Sequence, residues 1–219
     1  GLNRLPDGYT YSEYAREGFF QLVAVCIFNI MLVLFCFYFY REHKILKISL
    51  TIISSCTYIM TCSSAYRMIL YIKEYGLTFL RVFVLWALVL IFLVLTGIVI
   101  TIFKEQFPLV KYYLVCFFGW YLLFGYSHPD AYIAAYNLNP DRMEENLDEY
   151  YLYDMSADAA GSILQRKQEL SMKSDLTGEE RRFLNSMDSY IERLKEDAIQ
   201  MDFRSFNVSV FWANQILKS

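Results

Sequence analysis

Four long stretches without a single Asp, Glu, Lys or Arg dominate the first part of this chain: residues 18–40, 48–66, 82–103 and 112–129. The hydrocarbon core of a bilayer is about 30 Å thick, and a helix that crosses it needs roughly 17–25 apolar residues. All four stretches reach that length. A helix on the surface of a soluble core keeps charges on its wet face and seldom runs so far without one. A secretory signal has a shorter apolar region and would account for only one of the four. The reading is all-α: an integral membrane bundle of four transmembrane helices at about 18–40, 48–66, 82–103 and 109–126, followed by a small polar helical tail. Residues 1–17 form an interfacial segment, 128–155 an interfacial or linking segment, and 156–219 an amphipathic helical tail. The chain opens with Gly1 rather than Met and reads as a fragment or as a chain without its early part, which leaves room for further helices upstream.

The spans are not alike. The second carries Ser54, Thr57, Thr61 and Ala65 at 3-4-4 spacing, a stripe of small side chains on one helical face. Such stripes let helices approach closely, and hydroxyls bond across them. This marks an inner helix of the bundle, or alternatively one that lines a polar cavity. Span three is almost purely Val, Leu and Ile, and reads as lipid-facing or structural. Asn29 in span one is expected to make an interhelical hydrogen bond. Pro108 precedes span four, in a favourable place for a helix start, and Gly76 is a helix stop between spans two and three.

In the tail, Ser156 heads a helix running to about Met172. Thr177 with Glu180 has the capping-box spacing. After it, Leu184, Met187, Ile191, Leu194 and Ala198 recur at helical spacing. A last helix carries Phe206, Val210, Trp212, Ala213, Ile216 and Leu217. Asn207-Val208-Ser209 matches the glycosylation sequon.

Charge is divided between these parts. Residues 1–126 hold ten Lys/Arg against six Asp/Glu, and residues 127–219 hold ten against seventeen. Nucleic-acid binding needs a basic footprint, and docking onto anionic lipid needs the same, so the acidic tail speaks against both. The Lys/Arg counts on the two sides of the membrane are nearly equal. The acidity of the tail favours an extracytoplasmic placement for it, although acidic residues contribute little to orientation. The location is thus the cell membrane, multi-pass.

No motif for catalysis is present. There is no Walker loop, H-E-x-x-H, G-x-S-x-G or dinucleotide fingerprint. The five cysteines, Cys26, Cys36, Cys56, Cys62 and Cys116, are scattered through the spans without C-x-x-C or Cys/His grouping. No catalytic residue, metal or cofactor is assigned, and the reading leans away from an enzyme. What remains is a rim of polar residues at the span boundaries: Glu13, Arg16, Glu17, Arg67, Arg81, His128 and Asp130. With one crossing per span, the amino-terminal segment, the Arg67–Arg81 connection and the Asp130 segment fall on one side. This rim is the candidate binding site, for an anionic headgroup or a protein partner. Boundary charges also serve simply to fix helix depth.

Three segments carry a resemblance. Tyr11-Ser12-Glu13-Tyr14-Ala15-Arg16-Glu17-Gly18-Phe19-Phe20, Arg67-Met68-Ile69-Leu70-Tyr71 running to Tyr75-Gly76-Leu77-Thr78 and Arg81, and Pro129-Asp130-Ala131 with Asn137 resemble a bacterial family of multi-pass membrane proteins, "domain of unknown function" number four-one-seven-three. The likeness extends to Ser156-Ala157-Asp158-Ala159 and Asp202-Phe203-Arg204-Ser205-Phe206-Asn207. It implies a bacterial membrane protein with further helices upstream, and no activity. The expected partners are the lipid bilayer and a membrane or extracytoplasmic protein, with no nucleic acid. The expected role is binding a partner or relaying a signal; the alternatives are a transporter or lipid-handling enzyme with the rim as a headgroup site, or a structural subunit of a larger membrane complex.

Overall fold

The computed structural model describes residues 11–39, 44–104, 106–139, 149–173, 175–202 and 205–218. Among them there are nine α-helices and no strand. They are α1 Tyr11–Phe39, α2 Lys44–Tyr75, α3 Phe79–Phe103, α4 Leu109–Tyr126, α5 Pro129–Asn137, α6 Glu149–Tyr153, α7 Ala160–Ser171, α8 Gly178–Gln200 and α9 Val208–Lys218. A 3-10 turn at Ala157–Ala159 precedes α7. The chain forms two compact units, one of Gly1–Glu74 with Leu80–Tyr126, the other of Tyr75–Phe79 with Ser127–Ser219. Residues 1–10 of the interfacial segment and the polar connection 40–43 lie outside the described residues.

The first unit holds four helices long and apolar enough to cross a membrane: Gly18–Phe39 within α1, then α2, α3 and α4. The second is longer than its uncharged stretch. Charges at Lys44, Lys47, Arg67, Lys73 and Glu74 lie within it, and the connection to α3 shrinks to Gly76–Thr78. Arg67 is therefore about two turns before the helix end, not at the start of a loop. The reason is in its buried face: Leu50, Ser54, Thr57, Thr61, Ser64, Met68 and Ile72 recur every three or four residues straight past Arg67.

That face makes α2 an inner helix. Ser54 and Thr57 are fully buried, and Ser64, rather than Ala65, continues the stripe. Thr57, Thr61 and Ser64 donate to the carbonyls of Ile53, Thr57 and Met60 four residues back. This satisfies hydroxyls that have no water to turn to in a bilayer. Asn29 Nδ2 of α1 donates to Thr57 Oγ1 at 3.1 Å, the interhelical bond expected from the sequence. Val33, Leu50, Ile98 and Ile102 form an apolar cluster from α1, α2 and α3.

Span three is more than lipid-facing. Trp86 Nε1 donates to the carbonyl of Trp120 on α4, and Trp120 Nε1 donates to the carbonyl of Trp86. The two indoles lie nearly parallel, 6.3 Å apart. Tyr112 and Tyr113 of α4 donate to the carbonyls of Leu93 and Val94. Gly97 makes this approach feasible, since a Cβ there would lie 2.6 Å from the Tyr112 ring.

The second unit packs around α8. Phe183, Met187, Tyr190, Ile191 and Leu194 are its buried stripe; Phe183 and Tyr190 belong to it, while Leu184 and Ala198 are only partly covered. Ile133 of α5, Leu152 of α6, and Ile163 and Leu170 of α7 are fully buried in the same unit. The capping box forms as its spacing predicts: Glu180 N donates to Thr177 Oγ1, and Thr177 N to Glu180 Oε2. Ser156 stands at the start of the 3-10 turn without a side-chain cap. Asn207 caps α9, its Oδ1 accepting from Ser209 N and Val210 N.

Candidate functional site

The α2–α3 loop belongs to the tail unit, and its geometry starts from one glycine. α2 stops at Tyr75 because Gly76 takes φ +74°, the left-handed conformation that ends many helices and that glycine adopts without a Cβ penalty. The turn delivers Leu77 to Asn137, the last residue of α5. Asn137 Nδ2 donates to Leu77 O at 2.6 Å, and Leu77 N donates to Asn137 Oδ1 at 2.8 Å. One amide thus satisfies both backbone groups of Leu77 in the manner of a β-pair. Asn137 is only 5% exposed, and a buried amide is costly unless both ends are bonded. Two residues further on, Phe79 N donates to the Tyr151 phenol of α6 at 2.7 Å.

The loop is joined from there to α8. Asp130, in the first turn of α5, accepts from Ser156 N at 3.1 Å. The carbonyl of Ser156 accepts from the Tyr190 phenol of α8 at 2.6 Å, and the carbonyl of Met155 accepts from Arg193. The Arg193 guanidinium also lies over the rings of Tyr153 and Tyr190. Burial pushes the Tyr190 phenol above its ordinary range, Asp130 and Asp158 push the same way, and Arg193 opposes them. Tyr190 therefore stays protonated and keeps donating. Phe79, Asp130, Tyr151, Asp154 and Met155 line a half-open cleft of about 170 Å³ beside this network. Among the described residues no three His, Cys, Asp or Glu side chains converge as metal ligands.

The rim residues separate into these two units. In the first, Arg67 packs on α1, where a Cβ on Gly18 would lie 2.6 Å from Arg67 Nη1. Arg81 lies 4.5 Å over the ring of Tyr71, and Tyr71 is one turn along α2 from Arg67, on the same side of that helix. Glu13, Arg16 and Glu17 fall in the first turns of α1, and their side chains lie outside the described residues. In the second unit, His128 adopts φ 49° ahead of α5 and its Nδ1 is 3.1 Å from Asp158 Oδ2. Asp130 is the acceptor for Ser156 described above. Tyr151, Tyr190 and Arg193 are not candidates on sequence grounds. They sit in amphipathic helices where nothing in the spacing separates a linking side chain from a packing one.

No curated protein and no solved structure matches this chain. A family model does match, over residues 2–165, spanning the four apolar helices and α5 to the start of α7. Its number replaces the four-one-seven-three of the sequence resemblance; like that resemblance, it carries no activity. The chain belongs to the family described as Domain of unknown function (DUF4153).

Proposed function

We propose that this chain is a non-enzymatic membrane component that relays the state of its helical tail to its spanning helices. The observation that carries the reading is the Asn137–Leu77 pair. It fastens the three-residue link between α2 and α3 to α5. A partner that shifts α5 or α8 would pull on Leu77, and so on the ends of two spanning helices. The test puts photo-crosslinking residues at the exposed positions Arg182, Asp188 and Lys195 of α8 in native membranes, and then follows hydrogen exchange of the full chain in lipid nanodiscs with and without the captured protein. A discrete protein adduct whose binding changes hydrogen exchange at residues 75–79 is the expected result. An adduct that leaves this exchange unchanged, or catalytic turnover by the purified chain alone, overturns the relay.

A second reading concerns the first unit. Arg81 lies over the Tyr71 ring, one turn along α2 from Arg67, and two guanidiniums on that side of the helix suit an anionic headgroup or a transported anion. Arginine binds phosphate with a fork of parallel hydrogen bonds, so Arg67→Lys should weaken binding of inorganic phosphate or phosphatidylglycerol. His128 and Asp130 are left out of this reading because both act within the tail unit. Equal retention of both anions by wild type and Arg67→Lys/Arg81→Lys excludes it.

A further inference from the structure

Helix α9 turns an apolar stripe outwards. Ala213 is buried, and α9 packs on α7, α8 and the 3-10 turn. On the opposite side Val208, Phe211, Trp212 and Ile216 are 57%, 39%, 60% and 46% exposed, with Phe206 at 57% on the approach. Positions 208, 211, 212 and 216 form one continuous helical face. Gln215 completes it, and no charge interrupts it. The outer side of α8 in the same unit is of the opposite kind, with Arg181, Arg182, Asp188, Glu192 and Lys195 all exposed. A helix facing water normally looks like α8, so the apolar stripe of α9 calls for a different neighbour.

We infer that α9 is an in-plane anchor whose Val208–Ile216 face lies in the headgroup–acyl boundary of the bilayer. Chain connectivity keeps that neighbour at hand. The tail unit starts at Ser127, directly after spanning helix α4 ends at Tyr126, and it also includes the link between α2 and α3. Such tethering turns a weak surface affinity into an intramolecular event. Eleven residues make a rod of about 16 Å, far too short to cross the core but suited to lying flat. Trp and Phe are the side chains that prefer the interface. Most interfacial helices add Lys and Arg on the polar face. Residues 208–217 of α9 include none, and the polar positions off the stripe are Ser209 and Asn214; the tail is acidic. The anchoring is thus by apolar burial, and neutral headgroups suit it better than anionic ones. The Asn207 cap holds the first turn of the helix in register for this.

The chain has three tryptophans, Trp86, Trp120 and Trp212, so 5-fluorotryptophan labelling of the full chain in phosphatidylcholine nanodiscs gives three fluorine resonances. Trp212→Phe assigns the one of interest without touching a buried position, and the Trp86 and Trp120 signals report that the membrane unit is intact. The Trp212 resonance is expected to lose its intensity to a lipid carrying a headgroup-proximal nitroxide and to keep it in the presence of a water-soluble gadolinium chelate. Val208→Glu with Ile216→Glu should reverse that pattern while leaving Trp86 and Trp120 in place. Intensity lost to gadolinium in the wild type means the stripe faces water, and intensity lost to neither means that protein covers it. Either result overturns the anchor, as does stronger nitroxide broadening when phosphatidylserine replaces part of the phosphatidylcholine.

Discussion

Asn137 uses its amide as a miniature strand, giving and taking one hydrogen bond with the same residue. An amide does both at once through two different atoms. Asn137→Ala leaves the Leu77 N–H and C=O without their partner, at roughly 1–3 kcal/mol, and should be read as faster hydrogen exchange at residues 77–79 with the spanning helices intact. Asn137→Asp tests the donor end alone: the carboxylate still accepts from Leu77 N but meets Leu77 O with like charge, so the loop should loosen at neutral pH and tighten on acidification. Gly76 faces two constraints together. Its φ of +74° costs a non-glycine residue about 1–2 kcal/mol, and a Cβ there would lie 3.1 Å from Asn137 Oδ1. Gly76→Ala should therefore disturb the clamp as well as the turn, lowering the melting temperature of the full chain and abolishing protection at Leu77. Gly119→Ala, which meets nothing within 4 Å, is the matched control and should leave both unchanged.

Among the elements, α8 has the most explicit start signal, and its cap is also its acid-sensitive point. The Lys173 ammonium, with the backbone of Thr177, holds the Glu180 carboxyl below its ordinary 4.5, and Arg166 does the same for Glu169. A carboxyl depressed in the folded state contributes stability above its unfolded value and loses it as pH falls through the folded one. Protection of the first turn of α8 should accordingly be flat from neutral pH to about 4.5 and fall below that. Thr177→Ala should cost about 1 kcal/mol and keep the acid response, whereas Lys173→Met should flatten it, both measured as amide exchange along α8. The contrast with α2 shows what is legible in a sequence. The four spans can be read because an uncharged run of bilayer length fits little besides a spanning helix. The true end of α2 cannot, because Arg67 looks like a boundary although Met68 and Ile72 extend the buried stripe beyond it. A charged side chain ends a hydrocarbon span without ending a helix, since its backbone hydrogen bonds continue.

At the scale of the whole molecule, class and family are legible in the residues while the candidate site is hidden. Leu77 and Asn137 are sixty residues apart, as the bond between them records. Likewise, the reciprocal Trp86–Trp120 bonds join separate spans. No periodicity carries such pairings, because each partner also satisfies the ordinary pattern of its own helix. The rim groups residues by the side of the membrane they share, which chain order gives, but a shared side fixes no distances. The side itself is open to a direct measurement. The tail contains no cysteine, and Ser189 is exposed on α8. With an extracytoplasmic tail, Ser189→Cys should react with a membrane-impermeant maleimide in intact cells. Labelling only after lysis places the tail inside.

The length of α2 has a mechanical consequence. Its 32 residues make a rod of about 48 Å in a hydrocarbon layer of about 30 Å. A rod that overshoots its layer takes up the difference by leaning or by standing out at the ends. Only residues 48–66 are uncharged, a length of about 28 Å that matches the layer, so the surplus stands out at the charged ends. The turns from Arg67 to Tyr75 add about 12 Å beyond that run, so Gly76 and Leu77 follow a stretch of α2 that carries Arg67, Lys73 and Glu74. Asn137 thus bonds Leu77 where water, rather than lipid, competes for the same N–H and C=O.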